Sequence, residues 1–172
     1  MRLLALFFFL PLAALAGGLD PWTFGMTAEQ VLAQVDQGPY KSFSNGDLET
    51  YAGVFAGKKC NVQFYFRDGT LRRIVALTYE STDSGGSGPA WLHTYTALRD
   101  KYGEMETPGL SGKPEEMAVQ AQVRVALGLK AQMAPVKQPK DEFVFSTFSS
   151  YPSGGKTWYR IVVNIDPPRN AP

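Results

Sequence analysis

The chain has 172 residues, with 17 Lys and Arg against 16 Asp and Glu, one cysteine and one histidine. So balanced a charge supplies no basic surplus to release counterions from nucleic acid or to hold an anionic lipid surface, and neither is an expected partner. One cysteine cannot close an internal disulfide, and one histidine with one cysteine leaves a zinc site two ligands short, so no cofactor is expected.

The first sixteen residues read as a cleavable export signal. Arg2 gives a positive start, residues 3–15 are apolar and include Phe7, Phe8 and Phe9, and Ala14-Leu15-Ala16 meets the small-x-small cleavage rule. The apolar run falls short of the ~20 residues needed to cross a hydrocarbon core, and no cysteine follows it to carry a lipid. The expected product is residues 17–172: one periplasmic or secreted α+β domain with no stable membrane anchor. Cys60 reads as a buried apolar thiol, with an intermolecular disulfide or a reactive thiol as alternatives.

Residues 17–26 read as a loop. Thr27, with Gln30 three positions on, has capping-box spacing and predicts a helix over 28–36 with Val31, Leu32 and Val35 buried, stopped by Gly38-Pro39. Residues 50–79 predict three antiparallel strands. With Asp68-Gly69 as a two-residue turn, Phe66 faces Leu71, Phe64 faces Arg73 and Val62 faces Val75. With Gly57-Lys58 as the preceding turn, Phe55 faces Cys60 and Tyr51 faces Phe64. Both turns put Tyr51, Phe55, Cys60, Val62, Phe64, Phe66, Leu71, Val75 and Leu77 on one face. The other face then carries Val54, Asn61, Gln63, Tyr65, Arg72, Ile74 and Thr78. Arg73 falls on the apolar side, where it must snorkel or pair with a carboxylate.

Residues 81–89, rich in Ser and Gly, form a loop. Trp91, Leu92, Tyr95, Leu98 and Tyr102 recur at helical spacing and predict a helix over 90–102 ending at Gly103. Residues 104–114 are read as loop. In residues 115–133, Pro114-Glu115-Glu116 resembles a helix start, but Met117, Val119, Ala121, Val123, Val125, Leu127 and Leu129 occupy alternate positions, so a strand is expected, with a helix as the alternative. Pro135 and Pro139 break the chain. Residues 143–148 and 158–165 are the last two strands, the second burying Tyr159, Ile161, Val163 and Ile165, and the tail past Pro167 is irregular. The expected architecture is an antiparallel sheet with two helices on one face. A tandem α-β-β-β repeat, 27–79 and 90–165, is the expected form if 115–133 is extended.

The string Phe24-Gly25-Met26-Thr27-Ala28-Glu29-Gln30-Val31, with Gly38-Pro39 after it, resembles the start of small envelope proteins of the SmpA/OmlA (BamE-like) type. Phe64-Tyr65-Phe66-Arg67-Asp68-Gly69-Thr70-Leu71 resembles that family's later hairpin. The resemblance implies a helix packed on a small antiparallel meander and a non-catalytic binding role in the cell envelope. The doubled element order is similar in architecture to the beta-lactamase inhibitory protein.

Chemistry-bearing residues are sparse. His93 has no Gly-x-Ser-x-Gly elbow to activate. Asp47 and Glu49 read as turn residues rather than calcium ligands. In an extended strand, the neighbours Glu115-Glu116 and Asp141-Glu142 would face opposite ways. Gly85-Gly86-Ser87-Gly88 lacks the lysine of a phosphate loop. The expected function is therefore binding of an envelope protein or other envelope component through the sheet face, with Asn61, Gln63, Tyr65, Arg72 and Ile74 as the candidate residues. A small hydrolase of cell-wall or envelope polymers, using Glu49 and His93, is the alternative. A third reading is an inhibitor of a secreted enzyme, presenting loops near Lys58 or Gly85.

Overall fold

The computed structural model describes residues 17–168; the expected export signal, the expected cut after Ala16 and the end of the tail lie outside the described residues. Two short strands, β1 (Gly18–Leu19) and β2 (Trp22–Thr23), pair where a loop was expected. The capping box forms: Thr27 N–H donates to Gln30 Oε1 at 2.9 Å, and Gln30 N–H donates to Thr27 Oγ1 at 3.4 Å. Helix α1 (Ala28–Leu32) is nevertheless shorter than expected and gives way to a 3₁₀ turn at Val35–Gln37. The Tyr40 hydroxyl donates to the Gln34 carbonyl at 2.9 Å, holding the interruption open. Only Val31 of the expected stripe is buried; Leu32 is 41% and Val35 77% exposed.

The meander is present. Strands β3 (Tyr40–Ser42), β4 (Leu48–Phe55), β5 (Lys58–Arg67) and β6 (Thr70–Ser81) pair consecutively and antiparallel. Asp68 and Gly69 form the expected turn with φ of 53° and 72°, the left-handed pair that matches strand twist. The other turn is Ala56-Gly57, at 47° and 78°, one residue earlier than expected. Two bulges complete the correction. Tyr51 and Ala52 together oppose Asn61, and Arg72 is the extra residue between the pairs Phe66–Leu71 and Tyr65–Arg73.

A bulge shifts strand parity by one, so Ile74 and Ala76, opposite Phe64 and Val62, turn inward where Val75 and Leu77 were expected. Ile74 is fully buried and Tyr51 is 69% exposed. Val75 is buried too, but it lies outside the core cluster. Thr78 also points toward the helices, its hydroxyl 2.9 Å from that of Thr94.

Helix α2 (Ser87–Tyr102) starts three residues earlier than expected, after a turn in which the Asp83 carboxylate accepts from Gly85 N–H at 2.8 Å and Gly86 N–H at 3.1 Å. Strand β7 (Met105–Glu106) follows. Residues 115–133 are not a strand. They form α3 (Pro114–Ala126) and then β8 (Ala131–Pro135).

Backbone signals outweigh the alternating pattern. Proline sits at the first turn, where its missing N–H costs nothing, and strong helix formers follow. At the other end Gly128, with φ of 78°, donates to Val125 O at 3.0 Å while Leu129 N–H reaches Arg124 O at 3.0 Å, a Schellman closure. A repeat whose second unit used 115–133 as a strand is therefore not what the chain forms. Strands β9 (Phe143–Ser153) and β10 (Lys156–Asp166) run longer than expected, leaving only Gly154-Gly155 as the turn.

The large sheet has the order β3-β4-β5-β6-β10-β9-β8-β7. Its inner face shares one core with the helices. Val62, Phe64, Ile74, Ala76, Val144, Phe148, Ile161, Val163 and Ile165 from the strands join Val31, Trp91, Tyr95, Leu98, Met117, Ala121 and Val125 from the helices. Trp22 closes one end, edge-on to Phe64 at 4.8 Å. Trp91 stacks on Tyr95 at 5.3 Å.

Candidate functional site: the uncovered sheet face

With the helices on one side, the sheet's opposite side is defined by the paired residues that alternate with the core. Strand pairing sets them in lateral rows. One row runs Lys41, Glu49, Gln63, Val75, Asn164, Phe145 across six strands. A second runs Asn61, Leu77, Val162, Thr147, Gln132. A third joins Tyr65 to Arg73, and Arg73 to Asp166 beside Phe143. Toward the far end, Glu80 and Ser149 flank Arg160.

Three of the five candidate residues share this face. Asn61 donates to Glu49 Oε2 at 3.2 Å and to Thr50 O at 3.3 Å, while its own Oδ1 is buried without a partner. Gln63 accepts from the Tyr65 hydroxyl at 2.7 Å. Tyr65 is 37% exposed, and its phenol is pushed above the ordinary range by partial burial and then by Asp47. Arg72 is exposed at the bulge, on the rim of an open depression of about 580 Å³ shared with Arg67, Arg73 and Pro167. Ile74 is in the core and does not belong to the surface.

Sequence reasoning missed the second half of the face. Arg73, placed on the apolar side, instead points outward and grips Asp166 with two bonds of 2.5 and 2.8 Å. That hydrogen bonding raises the guanidinium above its usual value, so Arg73 is charged throughout the working range. Arg160 lies 5.3 Å over the Tyr151 ring, and the Tyr151 hydroxyl donates to Glu80 Oε1 at 2.9 Å. Phe143 and Phe145 stand 5.7 Å apart, and both line an open depression of about 290 Å³ reaching Pro108 and Gln132. In the sequence, Phe143 and Phe145 two positions apart on one strand carried part of this signal, but they rank as a face only once β10 is known to pair with β6.

The residues considered for catalysis do not converge. Glu49 points outward, with Lys41 Nζ at 3.5 Å, whereas His93 is on α2, so the sheet stands between them. Burial, then Lys58, lowers the His93 imidazole below its usual value. Asp47 spends its carboxylate on Phe66 N–H at 3.0 Å and on the Asn45 amide at 2.7 Å, shaping the β3–β4 turn. Among the described residues no three His, Cys, Asp or Glu side chains gather as metal ligands, and no helix is long and apolar enough to cross a membrane. The chain matches no protein-family model, no curated protein and no solved structure.

Proposed function

We propose that this chain is a non-catalytic, exported binding protein of the cell envelope that captures a folded protein on the outer face of its sheet. The carrying observation is the continuity of that face: Tyr65, Arg73, Phe145, Tyr151 and Arg160 stand among amides and short aliphatics on four neighbouring strands of a row six strands wide. Rigid aromatics and arginines concentrate binding energy when a partner excludes water around them. Six strands ~4.8 Å apart and about eight residues of ~3.3 Å each give roughly 600 Å², close to one side of a standard interface. Export is supported by the leader-like first sixteen residues, and an envelope role by the resemblance over residues 24–71.

The strand order is mirrored about the sheet's centre. Each half contributes four strands, β3 to β6 and β7 to β10, meeting at the β6–β10 pair, with α3 inserted between β7 and β8 of the second half. A doubled sheet with one bare face is what the likeness of element order to the beta-lactamase inhibitory protein implies. A secreted enzyme is thus one class of folded partner.

The test is capture from the native envelope fraction by immobilised protein. The triple variant Tyr65→Ala, Phe145→Ala, Arg160→Ala should keep its fold by circular dichroism and lose capture by ~30-fold or more, the scale of one hot-spot residue. Glu115→Ala, on α3 across the sheet, should capture as well as the parent. Full capture by the triple variant would remove the face from consideration.

A further inference from the structure

Gly17 follows the small-x-small triplet Ala14-Leu15-Ala16 directly and is already buried. A side chain there has no room: a Cβ would meet the Asp141 carbonyl oxygen and lie 2.8 Å from Glu142 Cβ. The Gly17 carbonyl accepts from Phe24 N–H at 3.1 Å, and the next residue's amide, Gly18 N–H, donates to Glu142 Oε2 at 2.9 Å. The fold therefore grips the chain from the first residue after the expected cut.

Glu142 is the second half of the observation. Its side chain is 5% exposed. Oε1 accepts from the Tyr102 hydroxyl at 2.6 Å and has Lys101 Nζ at 3.7 Å, while Oε2 accepts from Gly18 N–H. Lys101 is 55% exposed, so its charge is shared with water. A carboxylate this buried is costly without a close counter-charge, and its second oxygen can accept more than one bond. The Gly17 nitrogen is the backbone nitrogen next to the one that Oε2 already holds, on a residue packed against Glu142.

We propose that hydrolysis of the Ala16–Gly17 bond is a structural modification as well as an export step: the α-ammonium it creates on Gly17 becomes the ion-pair partner of buried Glu142. An endopeptidase adds water across the peptide bond. The hydroxyl goes to the Ala16 carbonyl carbon and a hydrogen to the Gly17 nitrogen, which takes a further proton as a primary amine. Before the cut that nitrogen is a neutral amide and cannot pair. The groups facing it are Asp141 and Glu142 at the entry to β9 and Lys101 and Tyr102 at the end of α2, with Asp20 on its own segment. Two carboxylates against one solvated lysine favour a cation there. A cut one or two residues later would delete the glycine that fits against Asp141 or the amide that holds Glu142. This inference does not depend on what the sheet face binds.

Three preparations test it: the chain beginning at Gly17, the same chain acetylated at Gly17, and the chain beginning at Ala16. Paired with Glu142, the α-amine takes a pKa above its ordinary ~7.7–8.0. Its stabilisation is therefore complete below that ordinary value and disappears as pH rises through the higher, folded-state value. At pH 6.5 the free Gly17 chain should melt about 3 °C above the other two; at pH 10.5 the three should coincide; in Glu142→Gln the advantage should be absent at both. Should that variant not fold, ¹⁵N titration of the Gly17 amine in the parent decides, with a midpoint well above 8 expected. A midpoint at or below 8, three equal melting curves at pH 6.5, or an exported chain whose mass begins anywhere but Gly17 would each overturn the proposal.

Discussion

Cys60 shows how one position is set by its neighbours. It sits opposite Gly53 on the inner side of the β4–β5 pair, half-buried, and burial pushes its thiol up to about 11. The thiolate is the reactive species, so a rise of about two pH units from the ordinary range means roughly 100-fold less of it at pH 8. Folded protein should accordingly react with iodoacetamide at pH 8 at least ~50-fold more slowly than protein in denaturant, measured by mass shift over time. Equal rates in the two states would show that the thiol is open to solvent. The same neighbourhood argues against a reactive or intermolecularly paired cysteine. By contrast Asn61, one residue along, turns to the outer side, where its amide nitrogen is held by Glu49 and Thr50 while its carbonyl oxygen is buried with nothing in the described residues to satisfy it.

At the scale of elements, bulges decide which side chains meet. Gly53 lies just past the Tyr51-Ala52 bulge, where β4 approaches β5 so closely that a Cβ would strike Val62 Cγ2 and lie 3.0 Å from Val62 Cβ. Gly53→Ala must push β4 from β5 or force Val62 off its rotamer, an overpacking cost of about 1–3 kcal/mol. Urea unfolding should give that loss, and Val62→Ala in the same chain should recover part of it.

The meander, the Asp68-Gly69 turn and the capping box were legible because each follows from local chemistry that the next few residues declare. Arg72 and the Tyr51-Ala52 pair declare nothing locally; their bulges exist to let Ile74 and Phe55 reach a core assembled from distant segments. Ile74 was consequently placed on the surface and Arg73 inside it, while Asn61, Gln63 and Tyr65, all on one side of the Arg72 bulge, kept their face. In 115–133 the alternating aliphatics are divided instead between a buried side, Met117, Ala121 and Val125, and an exposed one, with Val119 at 60% and Leu127 at 73% exposed. Proline at the start and glycine at the end were the better guides.

Over the whole molecule, the sheet's centre is the pairing of β6 with β10, the last strands of the chain's two halves. Ile161, Val163 and Ile165 on β10 lie against Tyr79, Ala76 and Ile74 on β6, and the core beneath is continuous from Trp22 to Met133. Splitting the chain in the loop between β6 and α2 would leave each half with a long central strand as an unpaired edge, a template for aggregation. Each half would also retain only part of one hydrophobic core, and halves of this size are marginal by themselves. Fragments 17–85 and 86–168, expressed separately, should show no dispersed amide spectrum and should associate with themselves. Mixed at equal concentration after denaturation, they should regain the parent's near-ultraviolet circular dichroism and, with it, capture by the outer face, since the rows that form that face cross the β6–β10 seam. A first fragment that folds and captures alone would mean that the bare face works as a four-stranded unit, with Arg160 and Phe145 no part of it.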